Sequence, residues 1–535
     1  MDERAQVPVS LPRGQPTKPF WQDPPDATVA DLRSTPELPS AADVVIVGSG
    51  ITGASIAWHL LGLDQPAKTR PTALQSILML EARQACSGAT GRNGGHTKAA
   101  SYRSFLDHVA AQGVDEAVRI ARLELGAIDS VHGLAAATAT STGIDCDSNP
   151  CDTLDVMYDP AQWERAQKAI AAMQAAMPAG DPAAQYTLYS REEALAAFPC
   201  SDDVEVDVDG KTIATHPICG VVRYTAGSVS AYRFTVGVLK QCLAEGLNLQ
   251  TSTPVLSVAQ QTEGCGNTHR WAVETARGTV LAQHVVLATN GYTAHLVPSL
   301  QGVVVPLRGQ IAMHRAGSNM PGATAPGVTA KAPSSQQGLA TTYSFIYEQG
   351  YEYMITRPPG STCAGDVIIG GGLKYADPTA DGGLCEYGST DDTTLNPIVS
   401  AYLGETPLRY FGRSSSSSSS SSGHGWGADH PDGRVRAEWT GIMGYTPDGY
   451  PLVGEMPSTT SNATNKGLWL CCAFQGHGMV YAWPCGRALA TMIQTANMKD
   501  KAASKGVDTA LLQWFPACFR TTEARLKLQF AGRLH

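Results

Sequence analysis

A run of β-branched residues, "DVVIV" from Asp43 to Val47, passes directly into Gly48-Ser49-Gly50-Ile51-Thr52-Gly53 and then into an apolar stretch with helical character that ends near Leu61. Three glycines at this spacing, between a strand and a helix, leave few alternatives for the fold. The first makes a tight turn, the second lets backbone approach a pyrophosphate, and the third lets the helix pack closely on the strand, while the helix N-terminus attracts phosphate. A partner acid is needed at the end of the next strand, to bind ribose hydroxyls. "ILML" supplies that strand and Glu81 the acid. The separation from Gly53 is longer than usual, and the loop "GLDQPAKTRPTALQS" accounts for it. Motif, strand, helix and acid together predict a dinucleotide site.

Downstream, "EARQACSGATGRNGGH" interleaves glycines with Ser, Thr, Arg and Asn. So many residues without a Cβ predict backbone lying against a flat or charged ligand. The nucleotide motif does not separate NAD from FAD, but this second glycine loop, placed just after the ribose-binding strand, favours the flavin.

The 535 residues exceed one ordinary core, which predicts two closely packed domains. Net charge is −9 and no Lys/Arg cluster rises above a solvated face, so a nucleic-acid partner is not expected. The acidic excess leans toward a neutral or cationic small molecule. The 13 cysteines lack CxxC spacing, which predicts reduced thiols and no metal site. The N-terminus has no apolar signal segment, no stretch reaches ~18 apolar residues, and "GRLH" is not a recognised peroxisomal address, so the expected location is cytoplasmic, without a membrane partner. Asn462-Ala463-Thr464 is a glycosylation sequon of little meaning without a secretory signal.

Along the chain, residues 1–40 read as an irregular arm packed on the surface. Residues 103–180 carry helical periodicity, Ser190 with Glu193 suggests a capping box, and 231–258 reads as a helix, a glycine stop and two strands. Strand-like runs fill 303–372, and Ser414 to Ser422 is a low-complexity insertion expected to be disordered. The expected class is α/β (α+β): a Rossmann-like dinucleotide domain interleaved with a mixed-sheet substrate domain. The divisions run 41–110, 226–302 and 431–500 for the first domain, and 111–225 and 303–412 for the second. Residues 413–430 form a Ser-rich loop and 501–535 a tail.

Three segments now carry a resemblance: the nucleotide motif with Glu81; "SGATGRNGGH"; and "RAEWTGIMGYTPDGYPLVGEMP" followed by "GLWLCCAFQGHGMVYAWPCGRALATMI". Over roughly residues 15–495 the chain resembles the FAD-dependent oxidoreductases of the D-amino-acid-oxidase type, with a glutathione-reductase-like FAD domain, and within them the fungal gamma-glutamylputrescine-oxidase-like proteins. The resemblance implies FAD as cofactor. Gly48, Ser49, Gly50, Ile51, Thr52 and Gly53 would hold its pyrophosphate, and Glu81, with Ala82 and Arg83, its ribose. Ser87, Gly88, Ala89, Thr90, Arg92, Asn93, Gly94 and Gly95 would pass beside the flavin. Val255 would meet adenine, and Thr289, Asn290 and Gly291 would line the second crossover. Asp448 to Gly454, Gly444, and Gly476, His477, Gly478 and Met479 would close over the pyrimidine edge. Independently, "QGHGM" precedes an apolar helix, whose N-terminus favours the negative charge of a reduced flavin. His477 reads either as part of that site or as a hydrogen-bonded core histidine. Pro484 should kink the helix.

There are departures from the resemblance. Gly441 stands where one branch carries a flavin-linking cysteine, and His96 is displaced from the position of a linking histidine in another. Noncovalent FAD is therefore expected, with His96 and Cys86 as the alternatives. On the substrate side, Lys374 reads either as a carboxylate contact or as a solvated strand-end charge. Tyr351, Tyr353 and Arg357 alternate on a strand and read either as sheet packing with a solvated arginine, the favoured reading, or as a hydroxyl and a guanidinium pointing inward, with Arg357 the other carboxylate candidate.

The resemblance implies oxidation of an amine or amino acid: hydride transfer from the C–N carbon, imine hydrolysis, and reoxidation by O2 to H2O2. It implies no protein nucleophile and no essential general base. A dehydrogenase using another acceptor, and a flavin-binding protein without catalysis, are the alternatives.

Overall fold

The computed structural model describes residues 2–530 except 67–73, 75, 140–143, 209–210, 262–269, 322–338, 349, 377–383, 413–424, 459–464 and 499. The serine run, the sequon, most of the loop after Leu61 and the C-terminal five residues lie outside the described residues.

Two mixed sheets organise the chain. The first has eight strands. At its centre, Asn248–Gln250, Ile77–Leu80, Ala41–Val47, Gly278–Leu287 and Leu468–Cys472 run parallel in that order. Val47 is level with Leu80 on one side and Leu287 on the other. Because helices and layers cover both faces, the central strand is apolar throughout rather than alternating: Val44, Val45 and Ile46 are fully buried. Each such side chain contributes about 1.5–3 kcal/mol by leaving water. The antiparallel strands Val255–Gln260 and Trp271–Thr275 extend one flank, and Leu452–Glu455 pairs with Leu468–Cys472.

The helix Ile51–Leu60 follows the first strand and is buried at every position, which explains why it is apolar all round. It packs against the helix Gly478–Ala496. A Cβ on Gly486 would lie 2.5 Å from Ser55 Oγ, so this crossing depends on a missing side chain. The latter helix continues through Pro484, and Ser55 Oγ donates to Trp483 O at 2.7 Å beside it. Helix Ala231–Ala244 packs alongside, its Phe234 ring edge-on to Trp483.

The second sheet has nine strands, in the order Val435–Tyr445, Val305–His314, Val367–Gly370, Gly350–Thr356, Thr342–Tyr347, Asn149–Met157, Gly220–Ser228 and His96–Lys98, with Thr187–Ser190 also on Gly220–Ser228. Its edge strand His96–Lys98 continues the second glycine loop, so the loop lies where the two sheets meet. Helices Tyr102–Gln112, Val114–Ala139 and Pro160–Ala176 occupy most of the expected helical region, and the capping box of Ser190 and Glu193 is formed. The strand Asn149–Met157 interrupts that region. Its acids disguise it in sequence, and Asp155 is fully buried within it.

The N-terminal arm is largely irregular and most of its residues are exposed or half-buried, as expected of an arm packed on the surface, but it is anchored into the second glycine loop. Trp21 is buried and its Nε1 donates to Asn93 O at 2.6 Å; Gln22 Nε2 donates to Gly91 O at 2.9 Å. No helix among the described residues is long and apolar enough to cross a membrane. No disulfide joins any two of the described cysteines.

Candidate active site

A cavity of about 420 Å³ runs from the C-terminal ends of the central parallel strands to the second sheet. At its nucleotide end, Gly48 has φ +107°, and a Cβ there would lie 2.6 Å from Ala288 O. A Cβ on Gly53 would lie 2.1 Å from Gly48 O, so this glycine serves helix-on-strand packing and stands behind the cavity. The helix beginning at Ile51 has no side-chain cap on Gly50. Thr90 reaches across from the second glycine loop, its Oγ1 accepting from Ile51 N at 3.0 Å. Glu81 accepts from Ser49 N at 3.1 Å and Ser49 Oγ at 2.6 Å through one oxygen, and from Arg83 N at 3.0 Å through the other. Its carboxylate is thereby fixed at the end of the second strand. Ile51, Thr52, Ala82, Arg83, Val255, Thr289 and Asn290 line the same end.

Gly88, Ala89, Thr90, Arg92, Asn93, Gly94 and Gly95 form one wall, and Ser87 lies just behind it. The glycines differ in purpose. A Cβ on Gly88 would meet nothing within 4 Å, whereas one on Gly91 would strike Gln22 and Cys86 O, and one on Gly94 the Tyr353 ring at 2.4 Å. Much of the glycine content thus lets the arm and the second sheet clamp the loop. Arg92 is buried; Asp392 holds it from below with Arg83, and burial pulls its pKa down to about 10 against that attraction.

The opposite wall is Gly476, His477, Gly478 and Met479. His477 precedes the helix Gly478–Ala496 and makes no side-chain cap, leaving the helix start open toward the cavity. Asn290, Ala473 and Gln475 all take positive φ here, and Asn290 Oδ1 accepts from Ala473 N at 3.0 Å. Three non-glycine residues in this conformation mark stored strain where two segments, 289–292 and 473–475, meet. Gly291 and Gly444 pack against each other behind it rather than lining the cavity. His477 faces the cavity with Nδ1 on Gln475 O at 2.8 Å. Loss of water around the ring lowers its pKa against that bond, and Arg103 and Lys98 lower it further, so the ring is neutral.

Several expected positions lie elsewhere. Arg357 points away from the cavity: it pairs with Asp147 at 2.6 Å and stacks beside Phe20 and Trp21. Lys374 also lies outside, its Nζ donating to Glu348 O at 2.6 Å. Asp448 is taken by Arg525 of the C-terminal segment at 2.6 Å, and Gly441, Ile442, Met443 and Tyr445 line the cavity in place of 448–454. Tyr353 does line it, and its hydroxyl accepts from Gly94 N at 3.2 Å. Cys86 is fully buried under the loop.

Sequence reading missed Lys98 and Arg103, which line the substrate end with Ser344 and Tyr351. Arg103 stacks on the Tyr351 ring at 4.8 Å and has no carboxylate partner among the described residues. A protein of net charge −9 thus presents cations where a substrate would sit. Their only signal in sequence is position, just downstream of the glycine loop.

A strand–loop–helix nucleotide cradle joined to a mixed substrate sheet defines a flavin-dependent oxidoreductase. The sequence model of the FAD dependent oxidoreductases (DAO) matches residues 43–492, and the chain belongs to that family. Its cofactor is FAD, and the residues present suit it: a backbone cradle closed to any Cβ at Gly48, a ribose acid held in place, and an uncapped helix start opposite the loop. The probable oxidoreductase OrdL of Rhizobium meliloti is 24% identical over 293 residues, 53% of this chain and 58% of that protein. The chain therefore spans little more than half the length of this curated relative. Glycine oxidase from Geobacillus kaustophilus superposes with a TM-score of 0.59 at 19% identity, covering 90% of this chain and 99% of that one. Iminodiacetate oxidase from Chelativorans sp. gives 0.54 at 16%, covering 84% and 95%. These structures share the fold.

Proposed function

We propose that the protein oxidises the C–N bond of a small amine that carries a carboxylate, with O2 as acceptor and H2O2 and an imine, hydrolysed in water, as products. The observation that carries this reading is Arg103: a guanidinium lining the cavity, oriented by Tyr351, with no carboxylate partner among the described residues. A substrate carboxylate would complete it by charge-assisted hydrogen bonds. Two structural neighbours are a glycine oxidase and an iminodiacetate oxidase, and glycine and iminodiacetate are amines of this kind.

When bound, FAD supplies the hydride acceptor. The chain's own residues orient the substrate between the glycine loop and the second sheet. The open start of helix Gly478–Ala496 favours negative charge at the wall formed by Gly476 to Met479. Neutral His477 adds no positive charge to repel a substrate ammonium. Attachment of FAD is noncovalent in this reading. A side chain at Gly441 would meet Arg92 Cβ at 3.0 Å, His96 Nε2 is bonded to Thr342 Oγ1 at 2.8 Å, and Cys86 is sealed from the cavity. Described cysteines that lie outside any disulfide support a cytoplasmic location.

A panel of amines with and without carboxylates, assayed for H2O2, tests the proposal. Release only with carboxylate-bearing amines is the expected result; turnover of alcohols alone, or of dyes without H2O2, contradicts it.

A further inference from the structure

Lys98 reaches the cavity from the edge strand His96–Lys98, with its side chain 11% exposed. Its Nζ lies 2.5 Å from Asp155 Oδ1 and 2.5 Å from Ser344 Oγ. Asp155 is fully buried, and its other oxygen accepts from Tyr102 and Tyr224 hydroxyls at 2.7 and 2.8 Å. The carboxylate is therefore fixed from three elements: its own strand, helix Tyr102–Gln112 and strand Gly220–Ser228. Two of the tetrahedral positions on Nζ are directed to Asp155 and Ser344. The remaining position, a lone pair when the amine is neutral, is left for the cavity. A structural ion pair would need neither the cavity wall nor a carboxylate saturated by two tyrosines.

We propose that Lys98 is a catalytic base that takes the proton from the substrate ammonium before oxidation, with Asp155 as its positioning residue. This rests on the reading of the protein as an amine oxidase and departs from the family resemblance, which implies no essential base. The step is a simple transfer. A substrate N–H bond breaks, its electron pair stays on the substrate nitrogen, and the proton goes to the Nζ lone pair. The resulting ammonium is stabilised by Asp155, and the substrate nitrogen is left able to push out hydride. No oxidant is needed.

Burial pulls the Lys98 pKa down to about 8, with Arg103 acting in the same direction and Asp155 against both. The groups around it are few. His96 on its own strand is held neutral by burial, and Tyr224 lies under Nζ at 5.8 Å. Tyr353 and exposed Tyr351 come from strand Gly350–Thr356, His132 and Glu124 from helix Val114–Ala139, and His477 and Tyr481 from the helix behind. His132 is bonded to Thr97 and Ser148, and Glu124 to Ser101 and Tyr481, so neither is free to take the proton.

The test is anaerobic flavin reduction by an active amine, measured from pH 6.5 to pH 10.5 in wild type, Lys98→Met and Asp155→Asn holoenzyme. Lys98→Met should lose about 100-fold at pH 7, the usual scale for a lost base. It should recover to within about fivefold once the buffer itself deprotonates the amine. Asp155→Asn should move the acid limb of wild type to lower pH, because neutral Lys98 is then easier to form. FAD content and melting temperature report folding, and Lys98→Gln replaces Lys98→Met if that variant lacks flavin. A defect equal at every pH, or none, overturns the role of Lys98 while leaving amine oxidation standing. A wild type that no amine reduces overturns both.

Discussion

Trp21 Nε1 donates to the carbonyl of Asn93 at 2.6 Å, tying the N-terminal arm to the second glycine loop. Around this bond, Gln22 holds Gly91, Thr17 receives Arg92, and Arg357 stacks on the indole at 5.1 Å. The arm is thus part of the cofactor wall. Trp21→Phe keeps most of the packing but leaves a carbonyl without its donor, at about 1–3 kcal/mol. FAD should dissociate roughly 5- to 150-fold more readily, as read by fluorescence titration of deflavinated protein. Unchanged affinity would show that the arm merely covers the site.

Gly50 sits at the head of the nucleotide helix, where a Cβ would lie 2.9 Å from Thr90 Oγ1. A valine there pushes branched carbons into the contact that aligns Ile51 N. Gly50→Val should purify without flavin absorbance, and full FAD occupancy would refute the assignment of this loop. Where flavin is bound in wild type, acid precipitation should release all of it to the supernatant.

Much of this end of the molecule was legible from sequence because backbone constraints write themselves as glycines. Gly48, Gly50, Gly53 and Glu81 carry their roles in spacing alone. The substrate end was not legible, because its residues meet through sheet pairing across long separations. Tyr353 lies on strand Gly350–Thr356, but the strand ends one residue before Arg357; Asp147 draws the arginine away, and of the two only Tyr353 reaches the cavity. Lys98 and Asp155 lie on strands joined through Gly220–Ser228, and the buried acid made Asn149–Met157 look unlike a strand. The arm's anchoring to the glycine loop was not legible for a related reason: its buried tryptophan stands among prolines and charges.

Carboxylate recognition separates Arg103 from Lys374. Arg103→Met should raise KM for carboxylate-bearing amines by about 30-fold or more, corresponding to ~2–5 kcal/mol for a lost partner of a buried charge. It should leave amines without a carboxylate little changed. Lys374→Met should leave KM unchanged for both, since its Nζ is spent on Glu348 O outside the cavity. Steady-state kinetics of the two variants checks the pair, and the reverse pattern would return Lys374 to the site.

His314 is fully buried in strand Val305–His314, with neither ring nitrogen hydrogen-bonded. Burial lowers its pKa to about 3, with Arg434 contributing. In the fold the ring stays neutral, whereas in the unfolded chain it takes a proton below about pH 6.5. Its contribution to stability is therefore complete above about pH 6.5 and is lost as the pH falls toward 3, amounting to ~2 kcal/mol at pH 5. His314→Phe should lose less stability than wild type between pH 7 and pH 5 in urea titrations. Parallel losses would mean that the ring is already protonated or solvated in the fold.

The central claim is that one cavity holds FAD and a carboxylate-bearing amine together. Anaerobic spectroscopy of the purified protein addresses it most directly. The protein should be yellow, with flavin absorbance that bleaches when a carboxylate-bearing amine is added and returns on admitting air, with H2O2 released. A flavin that stays oxidised in the presence of every such amine, while another class of reductant bleaches it, would contradict the account.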